Sequence, residues 1–330
     1  MNILFCCPSR FNLNSKIINS LGGIENLNLE LSKNLSSNKY KIYLSTLCKK
    51  TIKKKNFINL PISTIKINNN KYNFDYVISS NEPNIFKYFK NSKKILWMHN
   101  TLAVEKAIRK KKIFSILTNK INAVFVSEYL NKNTSKLYNF KNRFVIPNFL
   151  DRRFENQKIQ FKRKPWIIWA VSREKGLKEI INLWKEIFKL NRNTQFHIFG
   201  IKKKNKVKKL KKYNIFFHNR VSKKILIRYY KKSIASLCLG YDETFCLNAI
   251  ESMSCGVPVI GFKKTAINNL IKNNINGYKV DNFKKIYEKI NFIINMSNQK
   301  RSILINNTYS YSKKYYFNNI KKKWIQLIRK

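Results

Sequence analysis

Between Tyr241 and Gly261 the chain reads YDETFCLNAIESMSCGVPVIG, and three of its 16 acidic residues, Asp242, Glu243 and Glu251, fall in that stretch. Apolar spacing predicts a helix over Phe245–Cys255. Asp242 and Thr244 can cap its start, Gly256 stops it and Pro258 prevents its return. On such a helix Phe245, Ala249, Ser252 and Met253 form the core side, while Thr244, Leu247, Asn248 and Glu251 form another. Glu243 lies just ahead of the helix, so both carboxylates are expected at one pocket, beyond the carboxyl end of a strand at Ser236–Leu239. A carboxylate accepts two parallel hydrogen bonds, which suits the paired hydroxyls of a ribose or a sugar. The competing reading is a solvated helix face with two surface acids.

Other residue types bound the chemistry. Gly22 and Gly23 precede a predicted helix, Ile24–Leu35. Amides at a helix start with no side chain in the way suit a phosphate; an ordinary turn is the alternative. Glycine is scarce, at 8 in 330 residues, and most of the eight fall at predicted strand–helix junctions, where positive φ or close backbone approach is needed. Of the three histidines, His99 follows a predicted strand, His197 sits inside one, and His218 sits in a loop before Val221. The last two are read as structural. The six cysteines show no paired metal-ligand spacing and are expected as buried thiols. No Asp-x-Asp occurs, so no metal-held diphosphate is implied.

The elements that must position these groups alternate along the whole chain. Strands are predicted at Met1–Cys7, Lys41–Leu47, Tyr76–Ser79, Lys94–Met98, Ala123–Ser127 and Arg143–Ile146. A polar stretch, Asp151–Lys164, reads as a linker closed by Pro165. A second series follows, with strands at Trp166–Val171, Gln195–Phe199, Ser236–Leu239 and Val257–Gly261, and helices at Leu177–Leu190 and Lys223–Lys232. Alternation of this kind predicts parallel α/β sheets. The expected domains are 1–150 and 165–310, with 311–330 as an amphipathic helix returning toward the first. Two doubly wound domains in series imply a central cleft, with ligands beyond the carboxyl ends of the strands. By position His99 points into that cleft.

The formal charge is +52, from 68 Lys and Arg against 16 Asp and Glu. Compositional drift toward Lys, Asn and Ile, attraction to an anionic membrane surface and nucleic-acid binding compete to explain it. No zinc-finger spacing or base-stacking signature accompanies the charge, so nucleic acid ranks last and none is expected as a partner. No apolar run reaches the roughly 20 residues of a membrane span, and the N-terminus reads as a strand rather than a signal peptide. A cytoplasmic protein is expected. A predicted helix around Val104–Leu117 joins apolar residues to the run Arg109–Lys112, which suits either a membrane surface or a solvated face.

The Glu243–Pro258 segment resembles the signature of retaining glycosyltransferase family 4, the glycosyl transferases group 1 of the two-domain GT-B fold. That signature has two glutamates separated by seven residues, then a small residue and a Gly–Val/Thr–Pro run. Leu21–Glu25 (LGGIE), Val145–Asp151 (VIPNFLD), Val171–Leu177 (VSREKGL) and His197–Gly200 (HIFG) match further family segments in order, so the resemblance covers nearly the whole chain. It implies a fold of two Rossmann-like doubly wound domains facing a central cleft. It also implies a nucleotide-sugar donor, a saccharide or lipid-linked acceptor, retention of anomeric configuration and no metal or other cofactor. By resemblance Glu251 meets the nucleotide's ribose and Glu243 the donor sugar. Arg173 and Lys175 would meet the diphosphate, as would the amides of Gly22, Gly23 and Phe245, Cys246 and Leu247, with Asn248 beside Glu251. His99 would contact the donor sugar or acceptor. The family usually has glycine where this chain has Thr244 and Cys246, which leaves the loop's backbone as the open point. Two other outcomes stay in view: a GT-B nucleotide-sugar epimerase, and a basic binding protein of the same fold without activity.

Overall fold

The computed structural model describes residues 1–9, 21–67, 72–170, 176–201, 210–241 and 243–329. The chain forms two compact units, Met1–Asn148 with Ile320–Lys330, and Phe149–Asn319.

The first unit is built on β1 (Asn2–Cys6), β2 (Lys41–Thr46), β3 (Ile52–Lys54), β4 (Phe57–Pro61), β5 (Tyr76–Ser80), β6 (Lys93–Met98), β7 (Ile121–Phe125) and β8 (Asn142–Val145). Their order in the sheet is β3-β4-β2-β1-β5-β6-β7-β8. All pairs are parallel except β3 with β4. Central strands covered on both faces need continuous apolar runs. Ile3, Leu4 and Phe5 of β1 and Ile95, Leu96 and Trp97 of β6 supply them, all buried. Around this sheet lie α1 (Gly23–Leu35), α2 (Ile62–Ile67), α3 (Val104–Arg109), α4 (Lys112–Leu117) and α5 (Glu128–Lys132). The single helix expected over Val104–Leu117 is two short ones, because Lys111 takes a left-handed conformation, φ 51°, between them.

The second unit holds six parallel strands: β9 (Trp166–Trp169), β10 (Gln195–Phe199), β11 (Ile215–His218), β12 (Ala235–Cys238), β13 (Val259–Phe262) and β14 (Gly277–Val280). Their order is β11-β10-β9-β12-β13-β14. Counted within the unit this is 3-2-1-4-5-6, the doubly wound arrangement. Its helices are α6 (Leu177–Leu190), α7 (Lys223–Lys232), α8 (Leu247–Met253), α9 (Ile267–Leu270), α10 (Phe283–Ile294) and α11 (Asn298–Ser312). On α6, Leu177, Ile180, Trp184 and Ile187 repeat at helical spacing and all bury into the core. There Trp184 stacks on Phe196 with ring centroids 4.8 Å apart. His218 is the last residue of β11, not a loop residue as expected. It pairs with Phe199 of β10 in the parallel register.

The polar stretch expected as a linker is built into this unit. Phe154 is fully buried. The Arg163 guanidinium donates to the carbonyls of Tyr230, Lys231 and Cys255, tying the ends of α7 and α8 together. The C-terminal segment is also not one helix. After α11 the chain makes a 3₁₀ turn, Lys313–Tyr315, and then α12 (Phe317–Arg329). The last part of α12 belongs to the first unit. There the Trp324 ring, fully buried, meets Trp97 of β6 at 4.8 Å.

Candidate functional site

In the second unit β9 and β12 are neighbours from which the chain winds in opposite directions, so their carboxyl ends form a topological switch point, where open α/β sheets place ligands. The segment leaving β12 runs through Leu239, Gly240 and Glu243 to α8. The Glu243 side chain folds back over Gly240. A Cβ at Gly240 would lie 2.8 Å from Glu243 Cγ and 2.9 Å from Oε1, so only glycine leaves room for it. The Glu243 carbonyl accepts from the Ala266 amide at 3.1 Å, which pins this loop to the start of α9.

The helix that follows begins at Leu247, two residues later than expected. Thr244 is not its cap. The cap position is Cys246, in a left-handed conformation at φ 69°, ψ 80°, with no side-chain capping bond. Asp242 lies outside the described residues. The backbone geometry that glycine favours is therefore present here on a cysteine, the smallness of whose side chain limits the crowding. Asn248, in the first turn of α8, donates from Nδ2 to the carbonyl of Ala170, just past β9, and so ties the two sides of the switch point together.

Arg173 and Lys175 lie outside the described residues. Their flanks are described. Ala170 is held by Asn248, and Gly176 caps α6 at φ 78°, its Cβ position 3.8 Å from the Leu239 carbonyl. Both flanks therefore abut the segment that carries Glu243 and Glu251.

Glu251 does not lie on the solvated helix face of the competing reading. It is 4% exposed, and all residues from Ala249 to Met253 are buried. Lys223, the first residue of α7, donates to its Oε1. Its Oε2 is buried with no hydrogen-bond partner among the described residues. Burial pushes the carboxyl pKa up; the Lys223 ammonium opposes that, Asp151 adds to it and Arg153 offsets it. Asp151 and Arg153 form a two-point pair, with Nε at 2.9 Å and a terminal nitrogen at 2.6 Å from the carboxylate. The Lys223 ammonium also lies 5.3 Å from the centre of the Phe154 ring. Lys223, Asp151 and Arg153 escaped the reading of the sequence. Among 68 basic residues a single lysine carries no signal of its own, and Asp151 and Arg153 lie in a stretch read as linker.

In the first unit, Gly22 is the cap of α1 and Gly23 its first residue. Gly22 has an ordinary extended conformation, φ −66°. Its need for glycine comes from Glu25, whose carboxylate lies where a Cβ would be and accepts from Ser9 Oγ at 2.9 Å. The helix start thus already faces one carboxylate from its own first turn. His99 follows β6 and is 3% exposed, its ring 4.5 Å from that of Trp97. Its amide donates to Asn81 Oδ1 at 2.8 Å. Burial pushes its pKa down to about 3, so near pH 7 the ring is a neutral imidazole with one donor and one acceptor nitrogen, not a cation.

The structure therefore gathers Glu243, Phe245, Cys246, Leu247, Asn248 and Glu251 at one switch point of the second unit. It places Gly22, Gly23 and His99 after β1 and β6 of the first. Residues 151–311 match the family described as glycosyl transferases group 1. No curated protein matches the chain. Solved structures do. Sucrose-phosphate synthase from Thermosynechococcus elongatus is 16% identical, with 99% of this chain and 98% of that one covered at a TM-score of 0.76. HepE from Anabaena, solved in complex with UDP and glucose, is 14% identical, with 100% and 99% covered at 0.74. WaaG, a glycosyltransferase involved in lipopolysaccharide biosynthesis, is 12% identical, with 99% of both chains covered at 0.72. These likenesses establish the two-unit GT-B fold. The family match spans the segment that bears Glu243 and Glu251, and by it residues 151–311 are a glycosyl transferases group 1 domain and the chain that carries them is a glycosyltransferase.

Proposed function

We propose that this chain moves a hexosyl unit from a nucleotide-sugar to a saccharide or lipid-linked acceptor, with retention of configuration and without a metal, in the building of a cell-envelope polysaccharide or lipopolysaccharide. One observation carries the donor assignment. Glu251 Oε2 is buried at the switch point with no hydrogen-bond partner among the described residues. An acceptor left in that state costs free energy unless a ligand's donors complete it. The ribose hydroxyls of a nucleotide are such donors.

In this reading Glu243 meets the sugar, and Arg173 and Lys175, which fall between Ala170 and Gly176 in the sequence, meet the diphosphate. Negative charge grows on the leaving oxygen as the glycosidic bond breaks, and fixed cations and amides aimed at it supply the largest catalytic contribution. The amides of Phe245, Cys246 and Leu247, at the start of α8, and of Gly22 and Gly23, at the start of α1, add to that field. Neutral His99 orients a sugar hydroxyl.

The test is a panel of UDP-, GDP- and ADP-sugars. One nucleotide class is expected to raise the melting temperature and to be hydrolysed slowly, with EDTA leaving the rate unchanged. No shift with any of them would favour a binding protein without activity, and a changed sugar without transfer would favour an epimerase.

Peripheral attachment to the inner face of the cell membrane belongs to the same proposal. Phe114 and Leu117, three apart on α4, are 68% and 53% exposed, and Ile108 on α3 is 55% exposed. Lys106, Arg109, Lys110 and Lys111 are exposed beside them. Among the described residues no helix is long and apolar enough to cross a membrane. Apolar side chains ringed by cations suit an anionic lipid surface. Sedimentation with phosphatidylglycerol vesicles at low salt is expected, and Phe114→Ser with Leu117→Ser should abolish it. Equal binding to neutral phosphatidylcholine vesicles, or none to either, would refute the charge-assisted form.

A further inference from the structure

Glu251 poses a problem that the donor reading alone does not solve. A buried carboxyl tends to take up a proton, because burial disfavours its charged form. A protonated carboxyl carries no negative charge and turns one oxygen into a donor, so it accepts less strongly from a ribose hydroxyl. The neighbours that act on it come from three elements. Lys223 and Tyr230 lie on α7, Asp151 and Arg153 lie in the stretch before β9, and Cys255 follows α8. Arg153 is already paired at two points with Asp151. Among the described residues that leaves Lys223 as the cation in direct contact, its side chain 32% exposed against 5% for that of Glu251. Its ammonium keeps part of its hydration while touching a carboxylate that has almost none. It reaches Oε1, and Oε2 stays open among the described residues.

We propose that Lys223 is a positioning residue for nucleotide binding: it holds Oε1 of Glu251 and so leaves Oε2 as the oxygen presented to the ligand. The proposal rests on the reading of Glu251 as the ribose acceptor. Serine 222 places Lys223 for this role, because the Ser222 hydroxyl accepts from the Ile225 amide and fixes the start of α7. The Phe154 ring below the ammonium limits its excursions. Lys223 acts twice over. It fixes the carboxylate's orientation, and it keeps the group charged at pH values where burial alone would protonate it.

The experiment is isothermal titration of the 330-residue chain with UDP-glucose, GDP-mannose and ADP-glucose from pH 5.5 to 8.5, using the sugar that binds the wild type. These probes have no phosphate group that titrates in that window. The variants are Lys223→Met, Lys223→Gln, Lys223→Arg, Glu251→Gln and the double Lys223→Met with Glu251→Gln. Lys223→Gln keeps a donor to Oε1 without the charge, and it carries the test should Lys223→Met not fold. Wild-type and Lys223→Arg affinities are expected to stay nearly flat between pH 6 and 8. Lys223→Met and Lys223→Gln should lose affinity as the pH falls, approaching about tenfold per unit once the carboxyl protonates. The double variant should bind no more weakly than Glu251→Gln, because Lys223 acts through Glu251.

A Lys223→Met profile that overlays the wild type, with Glu251→Gln weakened, overturns the role of Lys223 and leaves the ribose reading standing. Wild-type affinity in Glu251→Gln overturns the ribose reading and the proposal with it. A double variant weaker than Glu251→Gln makes Lys223 a direct ligand contact and overturns the positioning role.

Discussion

Cys246 offers a test of the donor loop in which the expected sign runs against the ordinary rule. At most positions alanine is more stable than glycine, by roughly 0.5–1 kcal/mol inside a helix, because glycine has more backbone freedom to lose. Cys246 caps α8 at φ 69°, where a Cβ crowds the neighbouring carbonyl at a cost of roughly 1–2 kcal/mol. Comparing Cys246→Gly with Cys246→Ala removes the thiol from both, so the buried sulfur cancels and the backbone remains. The balance of these two effects makes the glycine variant the more stable by about 1 kcal/mol. In a unit of this size that is about 2–4 °C in Tm. Urea unfolding monitored by tryptophan fluorescence measures it directly, and Trp169 and Trp184 lie in the core of the same unit. Cys246→Val should fall below both, since a β-branched side chain is the worst tenant of a left-handed position. An alanine variant as stable as the glycine variant, or more so, would refute the left-handed cap. Activity should follow the same order, because the cap sets the direction in which the amides of α8 point.

Three further outcomes follow from the geometry. Gly240→Ala should leave the melting temperature within a few degrees of wild type but lower transfer by at least about tenfold, since the added methyl displaces the Glu243 side chain; unchanged turnover would remove Glu243 from the donor site. Trp324→Ala should destabilise the first unit by about 3–5 kcal/mol, since this fully buried ring packs on Trp97, and unfolding that leaves Tm within a degree or two would sink that estimate. Burial pushes His99 and His197 down to about 3, with His218 adding to the effect on His197. Histidines depressed from about 6.5 bind their protons only on unfolding, so their stabilisation is present above pH 6.5 and is lost as pH falls toward 3. Each contributes up to about 1.4 kcal/mol per pH unit in that window, and His197→Gln should flatten a plot of stability against pH by one such slope.

The parts of the fold written in periodicity were legible. Leu177–Leu190 and Lys223–Lys232 form helices with the bounds that apolar spacing indicates, and Gln195–Phe199 forms the strand expected of it. Short or lysine-rich strands were not. Ile52–Lys54 has two lysines in three residues, and Gly277–Val280 has only four residues with a lysine inside. Position in a sheet, rather than local composition, makes them strands. The start of α8 was misplaced for a different reason. Periodicity registers which side chains are apolar, and it is blind to a left-handed backbone at Cys246. The Glu243–Glu251 spacing pointed to the segment that leaves β12 at the switch point, and the burial of Glu251 rules out the solvated helix face of the competing reading. Helix phase alone gives no account of α7 and its Lys223 packing over that face. Lys111 broke another expected helix in the same hidden way.

The division of the chain gives α12 a role in timing. Residues 1–148 cannot cover the Trp97 side of their sheet with Trp324 until residues 320–329 have been synthesised. At about 5–20 residues per second, the interval between β6 and α12 on the ribosome is about 10–50 s. The second unit, whose residues 149–319 are contiguous, needs no later segment. The half made first is thus the half finished last. A chain that ends before Trp324 should expose an apolar surface around Trp97 that draws chaperones.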